Sequence, residues 1–562
     1  MFLLALACTV PCGSGTHLEK GTCVADNADF GAGDSATNTG DDTGGDADTD
    51  TDSDTDSDTD TDSDTDPDTD ADTGGDTDTD SSPDADGDGY PSDVDCDDAD
   101  PTINPGETEV CGNGVDDDCN PATGCRWSGD ANVTDSPDVL LGHSNGDVAG
   151  FTVAAGDYDG DGVGDVLVAA PYANSNAGRV YVSTGPVVAT ARLNDATTVL
   201  EGAAGSDLGL SLAFAGDVDG DGTDDALIGS PGQSYRGSVY LLAGGTVGTS
   251  AVGDAAFATW TGNGSTNYIG QTVAAVGDVT GDGLADVAVS DPFSSTIASN
   301  GGVIYIFSDP VDTSGDVSRA DARVYGGASD GLGTAYGGPV DVNGDGVDDL
   351  VAWSPGKVGT NGATGVLDAY YGPISGSTQP TPDVTWESAT RASNNTAVSV
   401  TAAGDTDGDG VGDVLLCEAT GPSSGPSICY LVLGGTTGTQ NLALGAATIS
   451  ATSATGLPLE FGDAGGDLDG DGVSDLVIGD PGNTTHGSYT GAVHLYYGPI
   501  RGSLTTNDAD ASFIGDGTTF MAGYGAAIGD PTGDGTPDLI IGAAGADGDA
   551  SASGAVYVVP GG

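Results

Sequence analysis

A nine-residue segment recurs seven times between residues 157 and 538, about 62 residues apart, and a repeat of that period restricts the chain to a ring or a stack of similar units. The segments begin at Asp157, Asp217, Asp278, Asp341, Asp405, Asp467 and Asp530. Glycine fills positions 4 and 6 in each, and aspartate closes position 9 at Asp165, Asp225, Asp286, Asp349, Asp413, Asp475 and Asp538. Position 5 is Asp161, Asp221, Asp282, Asp345, Asp409, Asp471 or Asp534. Position 3 is Asp159, Asp219, Asp407 or Asp469 in four copies, and Thr280, Asn343 and Thr532 in the others.

The spacing has a chemical reason. Oxygens at positions 1, 3, 5 and 9 converge if the backbone turns sharply at position 6, where glycine tolerates positive φ. A main-chain carbonyl at position 7 adds to them, and calcium accepts six to eight oxygens. Calcium is therefore the expected cofactor, bound more weakly where Thr280, Asn343 or Thr532 lowers the local charge. An EF-hand loop starts the same way but needs a bidentate glutamate at position 12 and a helix on each side. Here position 12 is Val168, Ile228, Val289, Ala352, Leu416, Ile478 or Ile541, each within a short apolar run. Such runs read as buried strands, so the loop joins two strands.

The remainder of each unit supplies two more strands. One has the form Gly-x-Val-Tyr, as at Gly178–Tyr181 and Gly237–Tyr240, and another follows near Thr198–Gly202 and Arg323–Gly326. Four strands per unit predict an all-β fold, a seven-bladed β-propeller with cation-binding hairpin loops. Phe/Leu/Ile/Tyr-Gly pairs precede the first strands at Leu208-Gly209, Ile269-Gly270, Leu332-Gly333, Phe461-Gly462 and Tyr524-Gly525. On these residues the chain resembles the FG-GAP family, whose best-known members are the integrin α headpieces. The first unit reverses the pair as Gly150-Phe151, and the fifth lacks it but carries Cys417 and Cys429 on adjacent predicted strands. The seventh unit ends after its third strand, so the segment at residues 137–142 is expected to supply the missing fourth and close a propeller spanning 130–562.

The rest of the chain reads as accessory. Residues 1–8 are a short apolar segment resembling the end of a bacterial lipoprotein signal, with Cys8 the residue to be acylated. Residues 9–40 form a linker holding Cys12 and Cys23. Residues 41–83 are nearly pure Asp-Thr and Asp-Ser repeats, which cannot bury apolar area and whose like charges repel, so a disordered, extended stalk is expected. Residues 84–125 resemble the Cys/Asp metal-binding module of secreted bacterial proteins, and their acidic run resembles thrombospondin type 3 calcium repeats. Asp84, Asp86 and Asp88 are its candidate ligands, and Cys96, Cys111, Cys119 and Cys125 are disulfide candidates, as are Cys12 with Cys23 and Cys417 with Cys429. Nine cysteines leave Cys8 over, and four disulfides imply an oxidising compartment.

Charge narrows the partners. With 10 Lys+Arg against 89 Asp+Glu the net charge is −79, which excludes nucleic acid as a natural partner, because that binding needs cations to replace condensed counterions. Membrane contact is expected only through a lipid anchor, on the cell surface or outer membrane, or else the protein is secreted. The resemblance puts the loops between second and third strands on the face opposite the cation loops, where integrins bind partners. Those loops carry Tyr172, Tyr235, Arg236, Phe293, Lys357, His486 and Tyr489, candidate anchors for an extracellular protein or glycan. No enzyme is expected. The four histidines form no zinc or triad pattern, and the Gly-x-Ser-x-Gly matches at Gly421–Gly425 and Gly327–Gly331 lack the strand-turn-helix setting that motif requires. The sequence thus predicts a cell-surface adhesion or ligand-binding propeller with structural calcium. The alternatives are a structural matrix protein without a dedicated ligand and, less favoured, a hydrolase.

Overall fold

The computed structural model describes residues 16–19, 22–25, 84–92, 94–107, 119, 126–232, 236–264, 268–308, 314–388, 397–419, 427–452, 459 and 465–561. Cys8, Cys12, the acidic stretch 41–83, Cys111, Cys125, Tyr235 and Phe461-Gly462 lie outside the described residues. The chain forms two units, 1–78 and 79–562. In the first, Thr16–Glu19 pairs antiparallel with Thr22–Ala25.

The second unit is a seven-bladed β-propeller. In blade 1, Val153–Gly156, Asp165–Ala170, Arg179–Ser183 and Thr198–Glu201 pair antiparallel in chain order. Blades 2 to 6 repeat this arrangement, and blade 7 repeats it with a fourth strand drawn from ahead of blade 1. The first strands line an axial cavity of about 350 Å³, with Val153, Leu212, Val273, Tyr336 and Val400 contributed by successive blades. They also pack on one another round the ring, and those of blades 7 and 1 meet.

Each sheet has five strands rather than the four expected. The fifth is short and parallel and comes from the next blade. Gly248–Ala251 of blade 2 runs beside Thr198–Glu201 of blade 1, and Gly438–Asn441 of blade 5 beside Val384–Glu387 of blade 4. The reason is the open edge. An outermost strand exposes a row of unpaired N–H and C=O groups, and a borrowed strand covers it. The ends of the ring use the same device. Asp138–Leu141 pairs antiparallel with Ala555–Val558 as the fourth strand of blade 7. Immediately before it, Gly129–Asn132 lies parallel to Ala511–Ile514 as the fifth strand of blade 6.

The core consists of seven wedges, one between each pair of neighbouring blades. The second strands explain why their sequence is continuously apolar. Alternate residues point to opposite faces of a strand. In blade 1, Val166 and Val168 enter the wedge toward blade 7, while Leu167 and Ala169 enter the wedge toward blade 2. Both faces are buried, so the three residues after the ninth-position aspartate are apolar in every blade, and polar residues such as Ser230, Asp291 and Asp480 come only toward the strand ends. Large side chains fill the wedges: Trp260 of blade 2 stacks on Phe307 of blade 3 with ring centroids 4.3 Å apart. In blade 5, Cys417 and Cys429 stand directly opposite on paired strands and form a disulfide in the wedge toward blade 6.

This topology sorts the loops. In an antiparallel blade the turns between strands 1 and 2 and between strands 3 and 4 emerge at one end. The turns between strands 2 and 3, and the crossovers to the next blade, emerge at the other. All seven acidic segments therefore share one face.

Candidate metal centres and the opposite face

Each acidic segment is wound by its own first aspartate. In blade 1, Gly160 N donates to Asp157 Oδ1 at 2.8 Å and Gly162 N donates to Asp157 Oδ2 at 3.1 Å. Val163 N donates to Asp161 Oδ1 at 2.9 Å. These turns need left-handed backbone at Gly160 (φ +75°) and Gly162 (φ +84°), which is why glycine recurs at positions 4 and 6. The winding draws carboxylates together. Asp157, Asp159 and Asp165 offer oxygens within 4.8 Å of one another, as do Asp217, Asp219 and Asp225, and Asp405, Asp407 and Asp413. In blade 6, Asp467 Oδ1 is buried without a hydrogen-bond partner. An orphaned carboxylate oxygen among other carboxylates fits a hard divalent cation, because burial of that charge is costly unless something positive answers it.

The ninth position differs from the rest. Asp165, Asp225, Asp286, Asp349, Asp475 and Asp538 are fully buried, and Asp413 nearly so. They anchor the hairpin to the sheet. Asp165 Oδ2 accepts from Tyr158 N at 2.8 Å and Asp159 N at 3.1 Å, while Oδ1 accepts from Gly185 N, beyond the third strand, at 2.7 Å. The link to the residue after the third strand recurs at Gly244, Gly372, Gly434, Gly498 and Gly561. Burial pushes these carboxyls up, to about 6 in Asp165, Asp413 and Asp538 and to about 7 in Asp225, Asp286, Asp349 and Asp475. A proton or a metal ion would relieve the same buried charge.

Position 3 varies with visible consequences. Asn343 Nδ2 donates to Asp349 at 3.2 and 3.3 Å, and Thr280 Oγ1 donates to Asp286 at 3.3 Å, so the neutral side chains satisfy part of the carboxylate themselves. Two arginines lean over this position as well. Arg126 Nη2 lies 2.5 Å from Asp469 and 3.2 Å from Asp471, and Arg501 Nη2 lies 2.9 Å from Asp407.

Position 8, which sequence reasoning did not single out, links neighbouring loops. Its N–H donates to the position-1 carbonyl of the preceding blade: Asp224 N to Asp157 O, Gly412 N to Asp341 O and Ser474 N to Asp405 O, with Gly164 N to Asp530 O bridging blades 1 and 7. Where position 8 is aspartate a second link forms, from Asp157 N to Asp224 Oδ2 at 2.8 Å and from Asp278 N to Asp348 Oδ2 at 2.9 Å. The aspartates at positions 224 and 348 were the available signal. The loops of blades 7 and 1, 1 and 2, 3 and 4, 4 and 5, and 5 and 6 are thus joined.

On the opposite face Tyr172, Arg236, Phe293 and His486 are exposed. Tyr172 packs edge-on against Phe151, which stacks on Tyr524. Phe293 is 55% exposed and meets Tyr268 edge-on at 6.2 Å. Tyr268, unmarked by the sequence, joins Phe293, Asp207, Leu210 and Gln271 around an open cavity of about 920 Å³. Tyr489 is half-buried, with left-handed backbone at φ +56°. Lys357 sits on the long hairpin of blade 4, its Nζ 2.6 Å from the buried Asp368.

The sequence resembles that of known proteins. The FG-GAP repeat model matches residues 149–183, 208–242 and 462–496, spanning the first three strands and acidic loops of blades 1, 2 and 6. The chain carries FG-GAP repeats. A metal-binding motif of the MopE copper-binding type matches residues 95–123. Among curated relatives, integrin alpha-PS2 of Drosophila melanogaster is 30% identical over 223 residues, covering 36% of this chain and 15% of that protein. Integrin alpha pat-2 of Caenorhabditis briggsae is 27% identical over 278 residues, covering 44% of this chain and 21% of that protein. The chain thus covers only about a fifth or less of the length of these relatives. No helix among the described residues is long and apolar enough to cross a membrane.

Proposed function

We propose that this FG-GAP propeller acts outside the cytoplasm as a non-enzymatic binding or adhesion module whose seven hairpin loops take calcium. The observation that carries the reading is the division of the ring into two faces. One bears seven self-wound carboxylate loops, most of them tied to a neighbouring blade, and the other bears exposed aromatics around an open cavity. Calcium on the first face would neutralise the buried ninth-position carboxylates and stiffen the ring. The second face, held in shape by that ring, would engage an extracellular protein or glycan through Phe293, Tyr268 and Tyr172. The similarity to integrin α chains supports the adhesion class. Disulfides Cys417–Cys429 and Cys96–Cys119 suit an oxidising compartment, and acylation at Cys8 would tether the chain by its N-terminus.

The test is a binding screen of immobilised full-length protein against cell-surface proteins and glycans, with calcium or with chelator. Binding that needs calcium and weakens at least tenfold in Phe293→Ala, at unchanged melting temperature, is the expected result. A partner retained equally by that variant and by chelated protein would remove both the face and the ion from the account.

A further inference from the structure

In two blades the chain that covers the outer edge also carries an arginine to that blade's own acidic loop. Gly129–Asn132 covers blade 6, and Arg126, three residues ahead of it, reaches Asp469 and Asp471 of the blade 6 loop. Gly502–Thr505 covers blade 5, and Arg501, the residue ahead of it, reaches Asp407 of the blade 5 loop. Both contacts fall on position 3 of a loop with aspartate at positions 1, 3, 5 and 9. With 10 Lys+Arg against 89 Asp+Glu in the chain, cations are scarce, and two of them are committed to the same kind of place.

Arg126 is held from several sides. Its Nη2 lies 2.5 Å from Asp469 Oδ2 and donates to Asp471 Oδ2 at 3.2 Å. Its guanidinium stands over the Tyr497 ring, 5.0 Å from the centroid. The Tyr497 hydroxyl in turn accepts from Trp127 N at 2.6 Å, and Trp127 packs edge-on against Phe513. Asp469 is buried and its Oδ2 makes no hydrogen bond, so the guanidinium charge is what answers it. The loop is nonetheless left incomplete. In blades 1, 2, 4, 5 and 7 the position-4 N–H donates to the position-1 Oδ1 at 2.6–2.8 Å. In blade 6 the corresponding atom, Asp467 Oδ1, is buried without a donor. One guanidinium thus answers positions 3 and 5 and leaves position 1 unanswered.

We propose that Arg126 is a resident competitor for the blade 6 loop: its guanidinium must leave Asp469 and Asp471 before a calcium ion can be held there, and its release loosens the segment that leads into the propeller. The inference rests on the reading that the propeller loops take calcium. Its physical reason is exclusion. A divalent cation needs the position-3 and position-5 oxygens as ligands, and a guanidinium on the same oxygens would stand against it as a like charge. Arginine cannot lose its proton to make way, so the side chain itself has to move. The exchange is favoured because the ion would also answer Asp467, which Arg126 does not. Blades 1 and 2 have the same four aspartates, and among the described residues no lysine or arginine pairs with their loops. Blade 6 should therefore bind calcium more weakly than either.

The experiment titrates calcium into the full chain by calorimetry and melts the same proteins with calcium and with chelator. It compares wild type with Arg126→Gln and, as a control, Arg192→Gln, whose partner Asp549 lies outside the acidic segments. Arg126→Gln should tighten one calcium site about tenfold, and Arg192→Gln none. Melting should cross over: Arg126→Gln melts below wild type in chelator, and at or above it in saturating calcium. An arginine that only braced the fold would lower melting in both conditions and tighten nothing. Trypsin reads the release directly, because it must seize the arginine side chain. Cleavage of wild type after Arg126 should be at least fivefold faster with calcium than with chelator. Equal calcium affinities in wild type and Arg126→Gln, or cleavage after Arg126 that calcium does not speed, would overturn the competition and leave the loops as calcium sites. Wild type and variant that both bind no calcium would overturn the reading of the loops, and the competition with it.

Discussion

The loop that opens at Asp157 and the loop that opens at Asp84 begin alike and end differently. Both are wound by hydrogen bonds from two glycine N–H groups to the first aspartate. The propeller loop then closes on Asp165, whose oxygens are occupied by N–H groups from its own loop and from beyond the third strand. The upstream loop has Ser92 at that position and leaves Asp95 Oδ2 without a donor. One loop closes on a carboxylate that the sheet supplies with donors, and the other leaves a buried carboxylate oxygen without one. The winding of such a loop is therefore local, while its stability without metal is a property of the sheet beneath it.

Removing metal from the whole chain is the widest way to test that contrast. A site held at one hundred times its dissociation constant adds about 2.7 kcal/mol, so loss of even a few filled propeller sites should lower the melting temperature by at least about 10 °C in calorimetry. The chelated protein should also show an inverted pH response. The ninth-position carboxyls sit at about 6 or 7 in the fold, above their ordinary value of 3.8. The metal-free fold thus holds protons that the unfolded chain releases, and its stability is greatest near pH 4 and falls as pH rises through 7. With calcium saturating, protons compete with the ion and stability falls as pH drops through the same window. A chelated protein that melts higher at pH 8 than at pH 5 would contradict the assignment.

Smaller effects separate the anchor from the ligand. Asp475→Ala strips acceptors from Leu468 N and Gly498 N inside the sheet and should cost about 2–4 kcal/mol, with or without calcium, in denaturant unfolding. Asp95→Ala should leave propeller unfolding unchanged. Smaller again, Thr280→Asp restores the carboxylate missing from blade 3 and should tighten its calcium site by about tenfold, or about 1.4 kcal/mol, in titration calorimetry. Least of all, Arg501→Gln withdraws the guanidinium 2.9 Å from Asp407 and should tighten the blade 5 site by only a few-fold, since an exposed ion pair is worth about 0–1 kcal/mol.

Much of the fold was legible in advance because its causes are local and repeated. Apolar residues at position 12 of each segment excluded an EF-hand loop, and seven copies indicated seven blades. The fifth strand of each sheet was not legible. Gly248–Ala251 is short and exposed and carries no apolar alternation, and its role depends on the edge of another blade. The same holds for the loop-to-loop links. Nothing in Gly164 or Gly412 announces a hydrogen bond to a neighbouring blade, whereas Asp224 and Asp348 carried a faint signal. Tyr268 was overlooked because its meeting with Phe293 joins residues 25 positions apart across the mouth of a cavity.

The sequence alone determined the winding of each acidic loop, since aspartate followed by glycine at fixed offsets sets a turn through bonds within nine residues. It also determined the count of blades and the burial of both faces of their second strands. The tertiary structure decided which carboxylates are anchors and which are free. That distinction rests on whether a sheet N–H reaches the oxygen, and those donors come from residues such as Gly185 and Gly498, some twenty positions away, placed only when the strands pair.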